Sequence, residues 1–140
     1  MLATEELIQV GFSLHQEGKL EEAENAYKQA LAQDSDNAEI YNLLGVLKLQ
    51  QKDVISAVNF VEKAVEKQPN AYFYETLFQT YIRAKLYKEI VKRAQEVLKK
   101  FPNDFSLMFN LALAYKNLKR NKEAINFYER ALKIDPSSYD

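Results

Sequence analysis

The 140-residue sequence predicts an all-α protein, a row of four helical hairpins with eight antiparallel helices. Three observations carry this expectation. With only three Gly and three Pro against 47% hydrophobic residues, loops must be few and short, which argues against a sandwich or barrel. The sequence repeats itself at intervals of 33 or 34 residues. Each interval holds two apolar-periodic segments of about 13 residues separated by a short polar break, the pattern of a helical hairpin.

The repeat is visible in EEAENAYKQALAQDSDN (21–37), ISAVNFVEKAVEKQPN (55–70) and KEAINFYERALKIDPSS (122–138). Their shared alanines are Ala23, Ala57 and Ala124, then Ala30, Ala64 and Ala131. Ala30 and Ala64 are 34 residues apart, whereas Ala64 and Ala131 are 67 apart, which leaves space for one further unit. Pro69, Pro102 and Pro136, spaced by 33 and 34, mark that unit. The expected organisation is one domain, 1–140, with repeats 4–37, 38–70, 71–104 and 105–138.

The first hairpin is expected near 4–17 and 20–33, each helix carrying an acid pair near its start (Glu5-Glu6, Glu21-Glu22) that favours the helix dipole. Gly18 supplies the left-handed exit between them. Asp36 can open the second hairpin, 38–50 and 54–67, and Asn70 the third, 71–84 and 87–100. Asn103 or Asp104 can open the fourth, 105–118 and 121–133.

These residues resemble the tetratricopeptide repeat, whose signature is an aromatic, Leu-Gly and Tyr in the first helix, then Ala, aromatic, Ala and Pro in the second. The second unit has Tyr41, Leu44 and Gly45, then Ala57, Ala64 and Pro69. The first has Leu7, Val10, Gly11 and Leu14, then Ala23, Tyr27 and Ala30, with Ser35 in the place of proline. The fourth has Met108, Leu111, Ala112 and Tyr115, then Ala124, Tyr128, Ala131 and Pro136. The resemblance implies a right-handed α-solenoid with a concave inner surface. Gly11, Gly45 and Ala112 should allow close helix approach, with Ala23, Ala57 and Ala124 as the matching flat surface.

The third unit departs from this pattern in several places at once. Phe78 stands where the others carry Gly or Ala, and Ile90 and Val97 stand where they carry Ala. Ala94, in turn, replaces Tyr27, Val61 and Tyr128. A volume swap is expected, with Phe78 filling the space opposite Ala94 and the hairpin opening modestly. The register also sorts the aromatic-rich stretch YFYETLFQTYIRAKLY (72–87): Phe73, Tyr74, Phe78, Tyr81 and Tyr87 should be core, and Tyr72 should face the groove.

In the resembled family the first helices line the groove, about a quarter turn from the packing stripe. The candidate partner-binding residues are Ile8, Phe12, Asn42, Val46, Tyr72, Glu75, Gln79, Arg83, Phe109, Asn110 and Leu113, with His15 or Gln16, Leu49 and Lys116 on the same stripe. Amides could bond a ligand's backbone while the apolar groups receive its side chains, so a peptide or a helical segment of a partner protein is expected. The family's chaperone-tail clamp needs Lys, Asn and Arg on three successive first helices. Its places here hold Ile8, Phe12, Leu43, Tyr72 and Thr76 or, one repeat later, Asn42, Val46, Thr76, Ser106 and Asn110, with no cation in either set. Of the asparagine ladder found beside sugar-transferring enzymes, only Asn110 falls in its slot.

No catalytic chemistry, cofactor or metal is expected. His15 is the only histidine and should be solvated or at the groove edge; cysteine is absent and no glycine-rich phosphate loop exists. No apolar run approaches a membrane span, and MLATEELIQVGF lacks the basic flank of a signal peptide, so a cytoplasmic location is expected. Charge is polarised: residues 1–70 hold 6 Lys/Arg and 12 Asp/Glu, and residues 71–140 hold 13 and 8. Lys88, Lys92 and Lys99 should share one face of the sixth helix. This surface suits an acidic partner, an anionic membrane surface or a second copy; without interleaved aromatics it does not suit nucleic acid.

Ile125, Leu132 and Ile134 should leave an apolar edge at the C-terminus, which implies a longer protein, a missing capping helix or self-association through the last repeat. The expected function is a non-catalytic binding module. The alternatives are a regulatory or substrate-docking array of a larger enzyme such as a glycosyltransferase, and a self-assembling scaffold.

Overall fold

A computed structural model describes residues 1–139; Asp140, the last residue of the predicted domain, lies outside the described residues. It contains α1 (Thr4–Gln16), α2 (Leu20–Gln33), α3 (Ala38–Gln50), α4 (Val54–Lys67), α5 (Ala71–Arg83), α6 (Tyr87–Lys92), α7 (Ala94–Lys100), α8 (Phe105–Asn117) and α9 (Asn121–Ile134). A short 3₁₀ turn, Pro136–Tyr139, follows and packs on α9. Among the described residues there is no strand, and no helix is long and apolar enough to cross a membrane. Contacts divide the chain into two compact units, Met1–Thr76 and Leu77–Asp140, with the boundary inside α5.

The eight expected segments are present, but the sixth is broken. Arg93 leaves helical geometry at φ −94°, ψ 3°, separating α6 from α7 without a proline or glycine. Ile90 and Val97, both fully buried, stand on either side of the break where the other hairpins carry alanine. Lys88 and Lys92 therefore lie on one helix and Lys99 on another.

The starts of α3, α4, α5 and α8 carry side-chain caps. Asn37, rather than Asp36, caps α3 by accepting from the Ile40 amide at 3.3 Å, while Asp36 pairs with Lys67 at 2.9 Å. Asp53 accepts from the Ser56 amide at 3.2 Å, Asn70 from Phe73 at 2.8 Å and Asp104 from Leu107 at 2.9 Å. First helices end in a left-handed residue: Gly18 (φ 82°), Lys52 (φ 63°), Lys85 (φ 59°) and Lys119 (φ 62°). After each, the next amide bonds back five residues, as Lys19 to Leu14 (2.9 Å) and Leu86 to Tyr81 (2.8 Å), which closes a Schellman turn. Glycine takes this geometry freely, whereas lysine takes it at a cost of about 1 kcal/mol.

In the unit Met1–Thr76, α1 packs on α2, α2 on α3, and α3 on α4. Its core joins Leu7, Ala23, Tyr27, Ala30, Ile40, Leu44 and Leu47. A Cβ on Gly11 would stand 2.6 Å and 2.7 Å from ring carbons of Tyr27, and one on Gly45 would collide with Cγ2 of Val61 and sit 3.4 Å from the Ala57 carbonyl. The two glycines thus set the hairpin spacing, each against the side chain sixteen positions later. In the unit Leu77–Asp140, α8 packs on α9 and α6 on α8. Leu77, Phe78, Tyr81, Leu107, Met108 and Leu111 are among its fully buried residues.

Candidate functional site

The first-helix face of the unit Met1–Thr76 consists of Ile8 and Phe12 on α1, Asn42 and Val46 on α3, and Tyr72 and Glu75 at the start of α5. Phe12 is 45% and Tyr72 61% exposed, while Ile8, Val46 and Glu75 are half-buried. Asn42 lies beneath the surface at 1% exposure, with neither Oδ1 nor Nδ2 hydrogen-bonded. In the unit Leu77–Asp140 the same face carries Gln79 and Arg83, both exposed, Phe109 at 41%, half-buried Leu113 and buried Asn110, whose Nδ2 has no partner. Both asparagines were expected to offer amides to a ligand. They sit where neighbouring helices close over the quarter-turn position, as Ile8 also shows by packing against the core.

The aromatic side chains sort by register. Phe73, Tyr74, Phe78 and Tyr81 are at most 4% exposed, as core residues should be, and Tyr87 is half-buried. Of the chain's 17 aromatics, those exposed among the described side chains are Phe12, Tyr72 and Phe109, and all three stand at predicted groove positions. Tyr72 leans on Phe73 (centroids 5.7 Å apart). Phe109 stacks on Phe105 at 5.8 Å and meets Tyr128 of α9 edge-on at 5.5 Å, which fixes its ring without covering it.

His15 departs from expectation: it is neither solvated nor at an open edge. Only 9% exposed, it donates from Nε2 to Oε1 of Gln50 (2.8 Å), while Nδ1 accepts from the Tyr27 hydroxyl at 3.3 Å. Three helices meet through this ring, and burial pushes the Tyr27 phenol up to about 12, with the Glu39 charge adding to it. Sequence held a divided signal, because the equivalent positions Leu49 and Ile82 are apolar whereas Lys116 is charged.

A second cluster joins α2 to α3. Glu24 pairs with Lys28 at 2.9 Å and Lys48 at 3.0 Å, and accepts from Gln51 Nε2 at 3.2 Å. The hydrogen bond from Lys28, then those from Lys48 and Gln51, hold its carboxyl at about 2 against the opposing effect of burial. This network fastens consecutive hairpins and brings no nucleophile or acid-base pair together. Among the described residues no group of three His, Cys, Asp or Glu side chains converges as a metal site.

Three family models match the chain: a TPR repeat model over residues 11–52, and tetratricopeptide repeat models over 38–70 and 106–138. Residues 71–105, most of them in the divergent third unit, lie between the last two matches. No curated protein matches in sequence. Among solved structures, MamA aligns at TM-score 0.85 and 19% identity, covering 97% of this chain and 80% of its own. PilF of Pseudomonas aeruginosa aligns at TM-score 0.81 and 23% identity, covering 95% and 61%. The APC/C hetero-tetramer Cut9-Hcn1 aligns at 0.77 and 22%, covering 97% and 28%. These likenesses show the fold, an α-solenoid of helical hairpins.

Proposed function

The chain belongs to the tetratricopeptide repeat family, and from that premise we propose that it is a non-catalytic module binding a peptide or helical segment of a partner protein along its first helices. One observation carries the reading: the exposed aromatics, Phe12, Tyr72 and Phe109, all lie on that face. Aromatic anchors left in water favour a partner that covers them, since each buries a large apolar area at little conformational cost. Half-buried Ile8 and Val46 add apolar surface in the first unit, and half-buried Leu113 does so in the second. Gln79 and Arg83 add polar contacts that can fix a backbone. The solved complex of Cut9 with Hcn1 is a relative of this fold engaged with another protein.

The test compares proteins captured by this chain and by a Phe12→Ala, Tyr72→Ala, Phe109→Ala variant of equal thermal stability. Loss of the captured partner supports the reading. Capture of the same partner at undiminished yield overturns it.

Self-association is a second reading, favoured by Ile125, which is 58% exposed on α9 on the same helix face as half-buried Leu132. The positions of Ile40, Leu44 and Leu47, which pack within the core of the first unit, correspond on α1 to Glu6, Val10 and Ser13, all exposed. A head-to-tail contact through α1 would bury Glu6 and Ser13, so copies would pair through α9 instead. Sedimentation as a monomer at high concentration would exclude this pairing.

A further inference from the structure

The turns of the third and fourth hairpins form a surface that the groove reading does not use. α6 packs against α8. α7 continues to the connection at 101–104, where α8 starts back, so the end of α8 returns beside the start of α6. The turns at Lys85 and Lys119 therefore lie at one end of the unit, and Lys99 and Lys100 at the other.

That end is basic and unneutralised. Lys85, Lys88, Lys116, Lys119 and Lys122 are all exposed, and none has a carboxylate within ion-pair distance among the described residues. The nearby acids are engaged: Glu89 pairs with Lys92 at 3.4 Å and Glu123 with Arg120 at 3.5 Å. Two of the lysines, Lys85 and Lys119, stand at the tips in the left-handed geometry that glycine would adopt more cheaply. In the first hairpin this place is Gly18, beside Glu17, Glu21 and Glu22.

Leu86 adds a second property. It is 39% exposed at the tip of the third turn, where the other turns carry Lys19, Asp53 and Arg120. A partly exposed leucine at the same end as these lysines matches an anionic bilayer: the apolar side chain enters the headgroup boundary while the ammonium groups meet the lipid charges. A nucleic acid would call for exposed stacking aromatics, and Tyr87 at this end is half-buried. An acidic peptide would be held better by a concave, hydrogen-bonding site with forked guanidinium groups than by the tips of two turns carrying mostly point charges.

We propose that the hairpin-turn end of residues 84–122 docks on anionic lipid headgroups, with Leu86 inserted and Lys85, Lys88, Lys119 and Lys122 around it. The chain then lies peripherally on a membrane surface, leaving the first-helix face free.

The experiment is co-sedimentation of the whole chain with phosphatidylcholine vesicles, with and without phosphatidylserine. Binding should require phosphatidylserine and weaken as NaCl is raised. The pair Lys85→Glu, Lys119→Glu should lower partitioning roughly a hundredfold, and Leu86→Ser roughly fivefold. Lys99→Glu with Lys100→Glu, at the opposite end, should change it less than about threefold. Failure to sediment with the anionic vesicles overturns the proposal. So does an equal loss in the Lys99, Lys100 variant, which would reduce the effect to net charge. Leu86→Ser binding as the parent does, or retention of polyglutamate or single-stranded DNA without vesicle binding, assigns the surface to another polyanion and refutes the lipid.

Discussion

Replacing Gly45 by alanine tests the packing rule on which the hairpins rest. The new Cβ would collide with Cγ2 of Val61 and stand 3.4 Å from the Ala57 carbonyl. Val61 is fully buried, and its β-branched side chain has one favoured rotamer in a helix, so it cannot step aside. Overpacking of this kind costs about 1–3 kcal/mol, whereas alanine's better helix propensity returns about 1 kcal/mol. Gly45→Ala should therefore destabilise by about 1 kcal/mol despite the gain in propensity. Val61→Ala alone opens a cavity and should cost about 2 kcal/mol. In the double variant the collision is gone while the propensity gain remains, so its cost should fall below that of Val61→Ala alone. Urea unfolding of the four proteins in the cycle gives the coupling directly, expected at about 1–3 kcal/mol in favour of the pair. Additivity within about 0.5 kcal/mol would refute the rule, because it would mean that the glycine and the valine do not share one volume.

Three other predictions follow from the same geometry. Glu24, held at about 2 in the fold against 4.5 as its ordinary value, contributes stability that is complete above about 4.5 and lost as pH falls towards about 2. Glu24→Gln should remove about 2 kcal/mol at neutral pH and flatten the dependence of the urea midpoint through that window; a parallel acid profile would exclude the ion network as the cause. Lys52→Gly should raise stability by about 0.3 kcal/mol, the relief of left-handed geometry slightly exceeding the added freedom of the unfolded chain; a lower melting temperature would contradict this. Ala94→Tyr should destabilise by about 3 kcal/mol or more if Phe78 occupies the space opposite Ala94, and a cost under about 1 kcal/mol would place Phe78 elsewhere.

Much of the frame was legible because apolar periodicity and a fixed repeat interval act on the same positions. Ala23, Ala57 and Ala124 mark the tight contacts, and all three are at most 4% exposed. What escaped the sequence depended on partners brought from other helices. His15 read as an edge residue until Tyr27 and Gln50 closed around it. Glu24 gave no sign of Lys48 and Gln51, which belong to the next hairpin. The break at Arg93 carries no proline or glycine to announce it. On the candidate face, Phe12 and Tyr72 were legible because their register faces away from the packing stripe. Asn42 and Asn110 were less so, because the exposure of a quarter-turn position is decided by the adjacent helix.

The third hairpin shows how sequence drift is accommodated when only part of a repeat is constrained. Gly11 faces Tyr27 and Gly45 faces Val61, each across an interval of sixteen residues, and the same interval joins Phe78 to Ala94. Both residues are buried, as a swap of large for small across the hairpin requires. The backbone at the turn does not follow the exchange. Lys85 keeps the left-handed geometry of Lys52 and Lys119, and Leu86 keeps the amide bond back to Tyr81. Core packing can thus be traded within a hairpin while the end of the hairpin stays fixed in form. A surface built from turn tips, such as the one at Lys85, Leu86 and Lys119, is therefore free to vary in chemistry without disturbing the core beneath it.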